Sequence, residues 1–496
     1  MPEPSDRQSI KVQAERTMLA AVRLPDSTFD PRDPFGELRE LAVQAGAVVV
    51  GEVEQRRDRP EAGTYMGKGK LEELKTACDE LDVATVIFDH DLSPRQIARI
   101  EEITKRKILD RSELILDIFA SRAVSHEAKL QVEIAQLEYT YPRLRAMWSH
   151  LERIVGSGGI GGVGTRGPGE QQLEIDRRLV QRRKTLLQRE LEEIQARKRR
   201  AVEKRNNDHY TVGLVGYTNA GKSTIFNTLT EGGAYADDRV FATLMTRTRQ
   251  WDLGGGHTAM LSDTVGFVRD LPHHLVASFR ATLEEAMHAD LILIVLDISD
   301  PSIELHYETV LATLDDLFSE VETREAKLAD RNKRDGKETH EYHRPEYLVL
   351  LNKADKLTDN TDLLYWQSLI PRSIPLCALP AKEDQPAPLG QEELIKRVKS
   401  HSIGDIQELD IVVPLSDSKT IHTIENRTTV TDREYIDHFV KLRTKIGTRQ
   451  LEALRASGAQ MTVHTLDGTI VDTPPRTRGW TEDSDSPYAK KPEFDF

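Results

Sequence analysis

The run Gly216-Tyr-Thr-Asn-Ala-Gly-Lys-Ser223 constrains the fold of this chain more than any other stretch. It follows the apolar residues Val212 to Val215 and precedes a helix-forming segment that opens at Thr224. In that context Gly-x4-Gly-Lys-Ser is a phosphate-binding loop between a strand and a helix. Gly216 and Gly221 let the backbone curl so that successive N–H groups face phosphate oxygens, and the helix that follows adds its positive N-terminal end. The predicted phosphate-binding set is Gly216, Tyr217, Thr218, Asn219, Ala220, Gly221, Lys222, Ser223 and Thr224. A strand–loop–helix unit of this kind belongs to an α/β domain with a mostly parallel sheet.

The base bound with those phosphates is read elsewhere. Asn352-Lys-Ala-Asp355 follows the apolar run Leu348 to Leu351. A carboxylate there accepts from both N1–H and the 2-amino group of guanine, whereas adenine has neither donor on that edge and would leave the carboxylate desolvated and unpaired. Asp355 is therefore predicted to select GTP and GDP, with Asn352 and Lys353 shaping the pocket. Cys377 and Ala378, after the strand-like Ile374 to Leu376, are candidates for the last base-contacting loop. Between the two motifs lies Asp263-Thr-Val-Gly266, where Asp263 is expected to hold Mg2+ through water and the Gly266 N–H to meet the γ-phosphate. Ser223 and Thr243 are the other expected metal ligands, Thr243 from a mobile segment between Ser223 and Asp263. Phe267 stands where many signalling GTPases carry a glutamine that orients the attacking water. Phe cannot do that chemistry, so no catalytic residue is assigned, and slow intrinsic hydrolysis is expected unless a partner supplies the missing group.

The chain has 496 residues, enough for about three domains. The expected division is a flexible arm over 1–35, a small α/β domain over 36–120, a helical hairpin over 121–206, the nucleotide-binding domain over 207–405, a small α/β module over 406–472 and a disordered tail over 473–496. The fold class is thus α/β and multidomain. In the first domain, Ala47 to Val50, Ala84 to Phe88 and Ile108-Leu109 read as strands, and Leu71 to Leu81 and Pro94 to Lys105 as helices. In the hairpin, Pro142 should kink or divide the first helix. Gly156 to Gly169 holds eight glycines in fourteen positions, and Leu173, Val180, Leu187, Leu191 and Ile194 form one apolar stripe on the second helix. Glu320 to His343 is densely charged and reads as an exposed insertion. In the last module, Ile411 to Pro414 and Tyr435 to Leu442 read as strands and Thr448 to Ala456 as a helix.

Charged residues make up 30% of the chain and hydrophobic ones 38%. The longest apolar run, Leu291 to Leu296, is far below the ~20 residues that cross a bilayer. A cytoplasmic, monomeric protein without membrane contact is expected. The net charge of −14 argues against a wholly basic nucleic-acid binder, but Arg177 to Arg205 is rich in Arg and Lys and could be either a solvated helical face or an RNA-facing arm. A glycine loop longer than a helix–helix connection requires, carrying Arg166, favours RNA contact at its tip. Cys78 and Cys377 are too few for a disulfide framework or zinc site. The adjacent His273 and His274 point apart on a helix and have no further ligand cluster, while Trp148 and Trp251 read as packing residues.

Asp263-Thr-Val-Gly-Phe-Val-Arg-Asp-Leu-Pro-His-His-Leu-Val-Ala-Ser-Phe-Arg-Ala-Thr-Leu-Glu-Glu285 resembles the HflX family of the Obg–HflX GTPases. Gly67-Lys-Gly-Lys70, Asp110-Arg-Ser-Glu-Leu-Ile-Leu-Asp-Ile-Phe119, His126-Glu-Ala-Lys-Leu-Gln-Val-Glu133 and Gly164-Thr-Arg-Gly-Pro-Gly-Glu-Gln-Gln-Leu-Glu174 are similar to the same family's N-terminal domain and glycine loop. The resemblance covers roughly residues 36 to 405. It implies a GTPase that binds the large ribosomal subunit and its RNA, and splits or rescues stalled or idle ribosomes. GTP hydrolysis would control release. Two other classes remain open on the sequence: a stress-signalling GTPase with a protein partner, and an RNA-remodelling ATPase acting through the N-terminal domain.

Overall fold

The computed structural model describes residues 15–156, 178–197, 209–230, 247–269 and 283–471, apart from positions 26, 28, 31, 284, 358 and 457 and the loops 335–341 and 379–388. The chain forms two compact units. The first comprises Met1–Ala196 with Arg239–Leu244 and Arg269–Ala281, and the second the remainder.

The first unit is built on a four-stranded parallel sheet. Its strands are β1 (Arg16–Arg23), β2 (Val48–Arg56), β3 (Thr85–Phe88) and β4 (Lys107–Asp110), in the order β2-β1-β3-β4. Helices α1 (Gly36–Gln44), α2 (Lys68–Glu80), α3 (Pro94–Thr104) and α4 (Arg111–Arg122) connect and follow them. Local chemistry sets these boundaries. Ser93 and Gln96 form a reciprocal capping box, with Pro94 preset for the first turn of α3. Asp110 caps α4 by accepting from the Glu113 N–H. Met18, Ala20, Val22, Leu71, Leu74, Val86, Phe88 and Ile100 fill the core.

One boundary differs from expectation. The span expected as a loose arm contains β1, the strand that pairs with both β2 and β3. Met18-Leu-Ala-Ala-Val22 is almost wholly buried, and a buried strand of a parallel sheet reads as a continuous apolar run rather than an alternating one. The prolines at 25 and 34 belong to the connection after it. Residues 1–14 lie outside the described residues.

Helix α5 (His126–Gly156) and helix α6, over 178–197, form the hairpin. Leu130 and Ile134 pack with Leu187 and Leu191, and Ile194 sits against them. His126 at the start of α5 pairs with Glu190, while Glu133 and Glu138 further along pair with the earlier residues Arg183 and Lys184, so the two helices are antiparallel. Pro142 does not divide α5, which continues across it. Most of the glycine loop, including Arg166, lies outside the described residues.

The second unit holds a six-stranded sheet in the order β10-β9-β8-β5-β7-β6. Its strands are β5 (Tyr210–Gly216), β6 (Arg247–Asp252), β7 (Thr258–Asp263), β8 (Leu291–Asp297), β9 (Glu346–Asn352) and β10 (Ile374–Pro375). All neighbours are parallel except β6, which runs antiparallel to β7 at the edge. The helices are α7 (Lys222–Leu229), α8 (Ile303–Arg334), α9 (Thr361–Leu369) and α10 (Gln391–Ile403). The charged stretch expected as an insertion is largely the second half of α8. That helix runs to Arg334, and Arg344 returns to pair with Asp315 and Glu322 on it.

A four-stranded antiparallel sheet follows, formed by β11 (Ile406–Pro414), β12 (Thr429–Ile436), β13 (Phe439–Gly447) and β14 (Thr462–His464) in the order β12-β13-β11-β14. It carries α11 (Ser418–Arg427) and α12 (Thr448–Ala456). The span expected as one strand over 435–442 is two, because Asp437 adopts φ 48° and turns the chain. The tail over 473–496 lies outside the described residues. Among the described residues, no helix is long and apolar enough to cross a membrane.

Candidate functional site

The loops at the C-terminal ends of β5, β7, β9 and β10 converge, as ligand sites do in open parallel sheets. The phosphate loop is held by steric necessity. Gly216 has φ 152°, and a Cβ there would stand 2.3 Å from the Val295 carbonyl oxygen. Gly221 has φ 95°, and its Cβ would meet Asn352 Nδ2 at 2.2 Å. Only glycine fits either place. Asn219 also takes a positive φ, 61°, which its short polar side chain tolerates.

Lys222 opens α7 from a buried position. Its Nζ donates to the carbonyl oxygens of Gly216 at 3.1 Å and Tyr217 at 2.6 Å, so the ammonium lies across the curl of the loop. Burial pushes it down to about 8, against the opposing charge of Asp263. Next to it, Ser223 Oγ donates to Asp263 Oδ2 at 2.8 Å. A hydroxyl and a carboxylate oxygen this close, beside a phosphate cradle, are the hard oxygen donors that magnesium takes, with phosphates and waters completing its shell. These residues therefore fit Mg2+. Thr243, the third expected ligand, lies outside the described residues, as do His273 and His274.

The loop after β7 is pinned on both sides of the phosphate loop. Thr264 Oγ1 donates to the Leu214 carbonyl at 2.6 Å, the Phe267 N–H to the Gly216 carbonyl at 3.0 Å, and the Thr218 N–H to the Phe267 carbonyl at 2.8 Å. At Gly266 a Cβ would lie 2.9 Å from both Lys222 Nζ and the Thr218 Cα, so this backbone passes directly over the phosphate loop. The Phe267 side chain is buried at 2% exposure. It serves packing and cannot orient water.

The residues expected to read the base lie on neighbouring loops. Asn352 is buried and its Nδ2 donates to the Ala220 carbonyl at 2.8 Å, tying the base loop to the phosphate loop. Lys353, at φ 60°, pairs through Nζ with Asp297 at 2.6 Å. Asp355 stands exposed in a short 3-10 turn, Ala354–Lys356. The Ala354 N–H donates to the Leu376 carbonyl, which sets Cys377 and Ala378 beside that turn. The Ala378 carbonyl accepts from Thr228 Oγ1 on α7 at 2.7 Å. The loop 379–388 lies outside the described residues.

Two residues of the second unit escaped the sequence reading. Asp297, at the end of β8, holds Lys353. His306 on α8 stacks on Tyr217 of the phosphate loop, with ring centroids 3.8 Å apart and planes 15° from parallel. Neither lies in a motif, and only the sheet order brings them in.

A third group lies in the first unit. Arg269, three residues beyond Gly266 in the chain, shares Asp89 with Arg23 and Arg111 at 2.8–3.1 Å, and Arg111 also reaches Glu37 at 2.9 Å. Burial opposes ionisation of Asp89, but Arg111, Arg269 and Arg23 together outweigh it and hold the carboxyl below its ordinary range. Charged residues scattered over the sequence gave no signal of this convergence.

Against known proteins, three family models match in succession. They are described as GTP-binding GTPase N-terminal (residues 32–120), GTP-binding GTPase Middle Region (122–205) and 50S ribosome-binding GTPase (211–351). The GTPase HflX of Lacrimispora saccharolytica is 46% identical over 309 residues, 62% of this chain and 72% of that protein. That of Alkalihalophilus pseudofirmus is 44% identical over 339 residues, 68% and 73% of the two chains, and that of Escherichia coli 43% identical over 282, 57% and 65%. Among solved structures, a GTP-binding protein from Sulfolobus solfataricus in complex with GDP is 24% identical with a TM-score of 0.36, covering 78% of this chain and 98% of that one. With three GTPase family models matched in succession and relatives at 43–46% identity, the chain belongs to the HflX family of GTPases and hydrolyses GTP.

Proposed function

We propose that this GTPase binds the large ribosomal subunit in its GTP form, splits or rescues stalled or idle ribosomes, and is released by hydrolysis. The observation that carries the reading is the combination at Phe267. Lys222, Ser223, Asp263 and Asn352 are gathered around it, yet the side chain at that position is a buried Phe, and no glutamine stands there to orient water. A GTPase built this way binds nucleotide well and hydrolyses slowly until a partner completes its site. The match of residues 211–351 to a family model described as 50S ribosome-binding GTPase favours the large subunit as that partner.

In this reading the loop N–H groups from Gly216 to Ser223 cradle the phosphates. Lys222 exchanges its two carbonyl partners for β- and γ-oxygens, and Asp355 accepts from the guanine edge. Ser223 and Asp263 would hold Mg2+, which neutralises the phosphate charge when bound. The Gly266 N–H and Thr243 sense the γ-phosphate, so its loss frees both segments and lowers ribosome affinity.

The test is the GTP hydrolysis rate of the purified chain, alone and with large ribosomal subunits. Stimulation by at least ~100-fold is expected if a partner completes the site. An unchanged rate with intact GTP binding overturns the ribosomal reading and leaves a protein partner, as in stress signalling, to supply the group.

A further inference from the structure

The second unit contains a cavity that the nucleotide does not use. It lies between the β6–β7 turn of the GTPase sheet and helices α11 and α12 of the C-terminal module, with a volume of about 340 Å3. That size lies within the range of small-ligand sites, about 300–1,000 Å3. Tyr210, the first residue of β5, forms part of its wall, whereas the phosphate loop begins at the last residue of that strand. Seven strand residues at ~3.3 Å each put the two sites about 20 Å apart.

The lining is cationic. Lys419, Arg427 and Arg449 face it together with His209 and His257, and Asp417 is the one acid among the lining residues. Asp417 is already committed to protein donors: it accepts from the Thr420 N–H and hydroxyl, at 3.2 and 2.7 Å, and from the Gln460 N–H at 3.3 Å. Arg449 is held in place rather than spent. Its Nη1 donates to the Tyr210 hydroxyl at 3.2 Å, and Glu346 stands 3.8 Å from Nη2. Among the described residues, neither Lys419 nor Arg427 makes an ion pair.

On the opposite wall the β6–β7 turn contributes Gly256, His257 and Thr258. Gly254, Gly255 and Gly256 all adopt positive φ, 76°, 63° and 76°, which makes this turn tight. Lys399 braces it by donating to the Gly254 carbonyl at 2.8 Å. Burial is the main cause that pushes His257 below its ordinary range, with the charges of Lys399 and Arg427 adding to it.

We propose that this cavity binds a phosphate group, carried by a free phosphorylated small molecule or by an RNA backbone, with Lys419 and Arg427 as its charged contacts and Arg449 as its floor. Lys419 and Arg427 line the cavity from exposed positions and, among the described residues, make no ion pair, so an anion there brings them charge-assisted hydrogen bonds. The site is independent of GTP binding, since none of its residues belongs to the nucleotide loops.

Pyrophosphate is the probe, titrated calorimetrically into the full chain saturated with GDP, so that the phosphate loop is occupied. Saturable binding at one site is expected. Lys419→Gln combined with Arg427→Gln should weaken it by at least ~10-fold, the loss of a charged hydrogen bond, while Arg427→Lys retains most of it. Both positions are exposed, and unchanged GDP binding and melting temperature show that the variants fold. Absence of pyrophosphate binding to the wild-type chain, or equal affinity in the double variant, overturns the proposal. With binding established, displacement by a short single-stranded RNA assigns the phosphate to an RNA backbone, and failure to displace assigns it to a small molecule.

Discussion

At the scale of single residues, Lys222 ties structure to a measurable proton. Its folded-state value of about 8, set by burial against the attraction of Asp263, lies below the ordinary 10.5. Between those values the unfolded chain holds more protons than the folded one, so the nucleotide-free fold gains stability as pH rises through that window. Below the window the buried charge is a cost, and bound phosphates remove it by restoring an anionic partner. GDP binding at pH 8 should therefore take up about half a proton, and uptake should fall away towards pH 7, where the lysine is already charged. Calorimetry in buffers of different ionisation enthalpy reads this directly, and an uptake that does not change with pH would place the proton elsewhere. Lys222→Ala should weaken GTP binding by at least ~100-fold, as expected for loss of a charged contact to two phosphates. Asp355→Asn should cost guanine affinity by at least ~10-fold and narrow the preference for GTP over xanthosine triphosphate, measured by competition. Phosphate and base motifs were legible in sequence because their chemistry is local: each requires particular atoms within a few residues. Asp297, His306 and Asp89 were not, because their roles come from strands and helices that meet only after the chain has folded.

At the scale of elements, buried apolar runs were easy to place and polar ones were not. Strands β3, β8 and β9 announced themselves through Val, Ile and Leu. The edge strand β12, Thr-Val-Thr-Asp-Arg-Glu-Tyr-Ile, is mostly exposed and has no apolar face to mark it. The long α8 was masked by its charge, since a helix that leaves the core needs only solvated side chains beyond that point. Strand β1 was lost for a different reason: prolines shortly after it made the whole segment look loose. That strand now carries its own prediction. Leu19 is 0% exposed in the middle of β1, so Leu19→Ala should destabilise the first unit by about 2–5 kcal/mol. A loose arm would show nothing. Chemical denaturation followed by a probe in the first unit distinguishes the two, and GDP affinity serves as the control for the second.

At the scale of the whole molecule, the chain order and the folding units do not coincide. The sequence suggests a break near residue 206, whereas the two units divide between Ala196 and Arg197. Yet Arg269–Ala281, which follows the Gly266 loop directly, belongs to the first unit. The cause visible among the described residues is electrostatic: Arg269 joins Arg23 and Arg111 around one buried carboxylate. Removing that carboxylate leaves three guanidinium groups facing one another with Glu37 and Glu54 at their margin. Asp89→Asn should therefore cost about 3–5 kcal/mol, the usual result of breaking a buried ion pair from one side. The pH sign follows from the lowered carboxyl. The stabilisation is fully present above the ordinary carboxylate value of 3.8 and is lost as pH falls through the lower folded value. Wild-type chain should thus lose part of its stability below about pH 4, and the Asn variant, already deprived of it, should show a shallower acid slope. Scanning calorimetry across pH 3 to 7 with GDP present separates the outcomes. GDP at a hundredfold excess over its dissociation constant adds about 2.7 kcal/mol to the unit that binds it, so the transition that moves with nucleotide identifies the second unit. The acid-sensitive loss should appear in the other transition. If Asp89→Asn leaves both transitions and their acid slopes unchanged, the arginine cluster is not what holds residue 269 in the first unit.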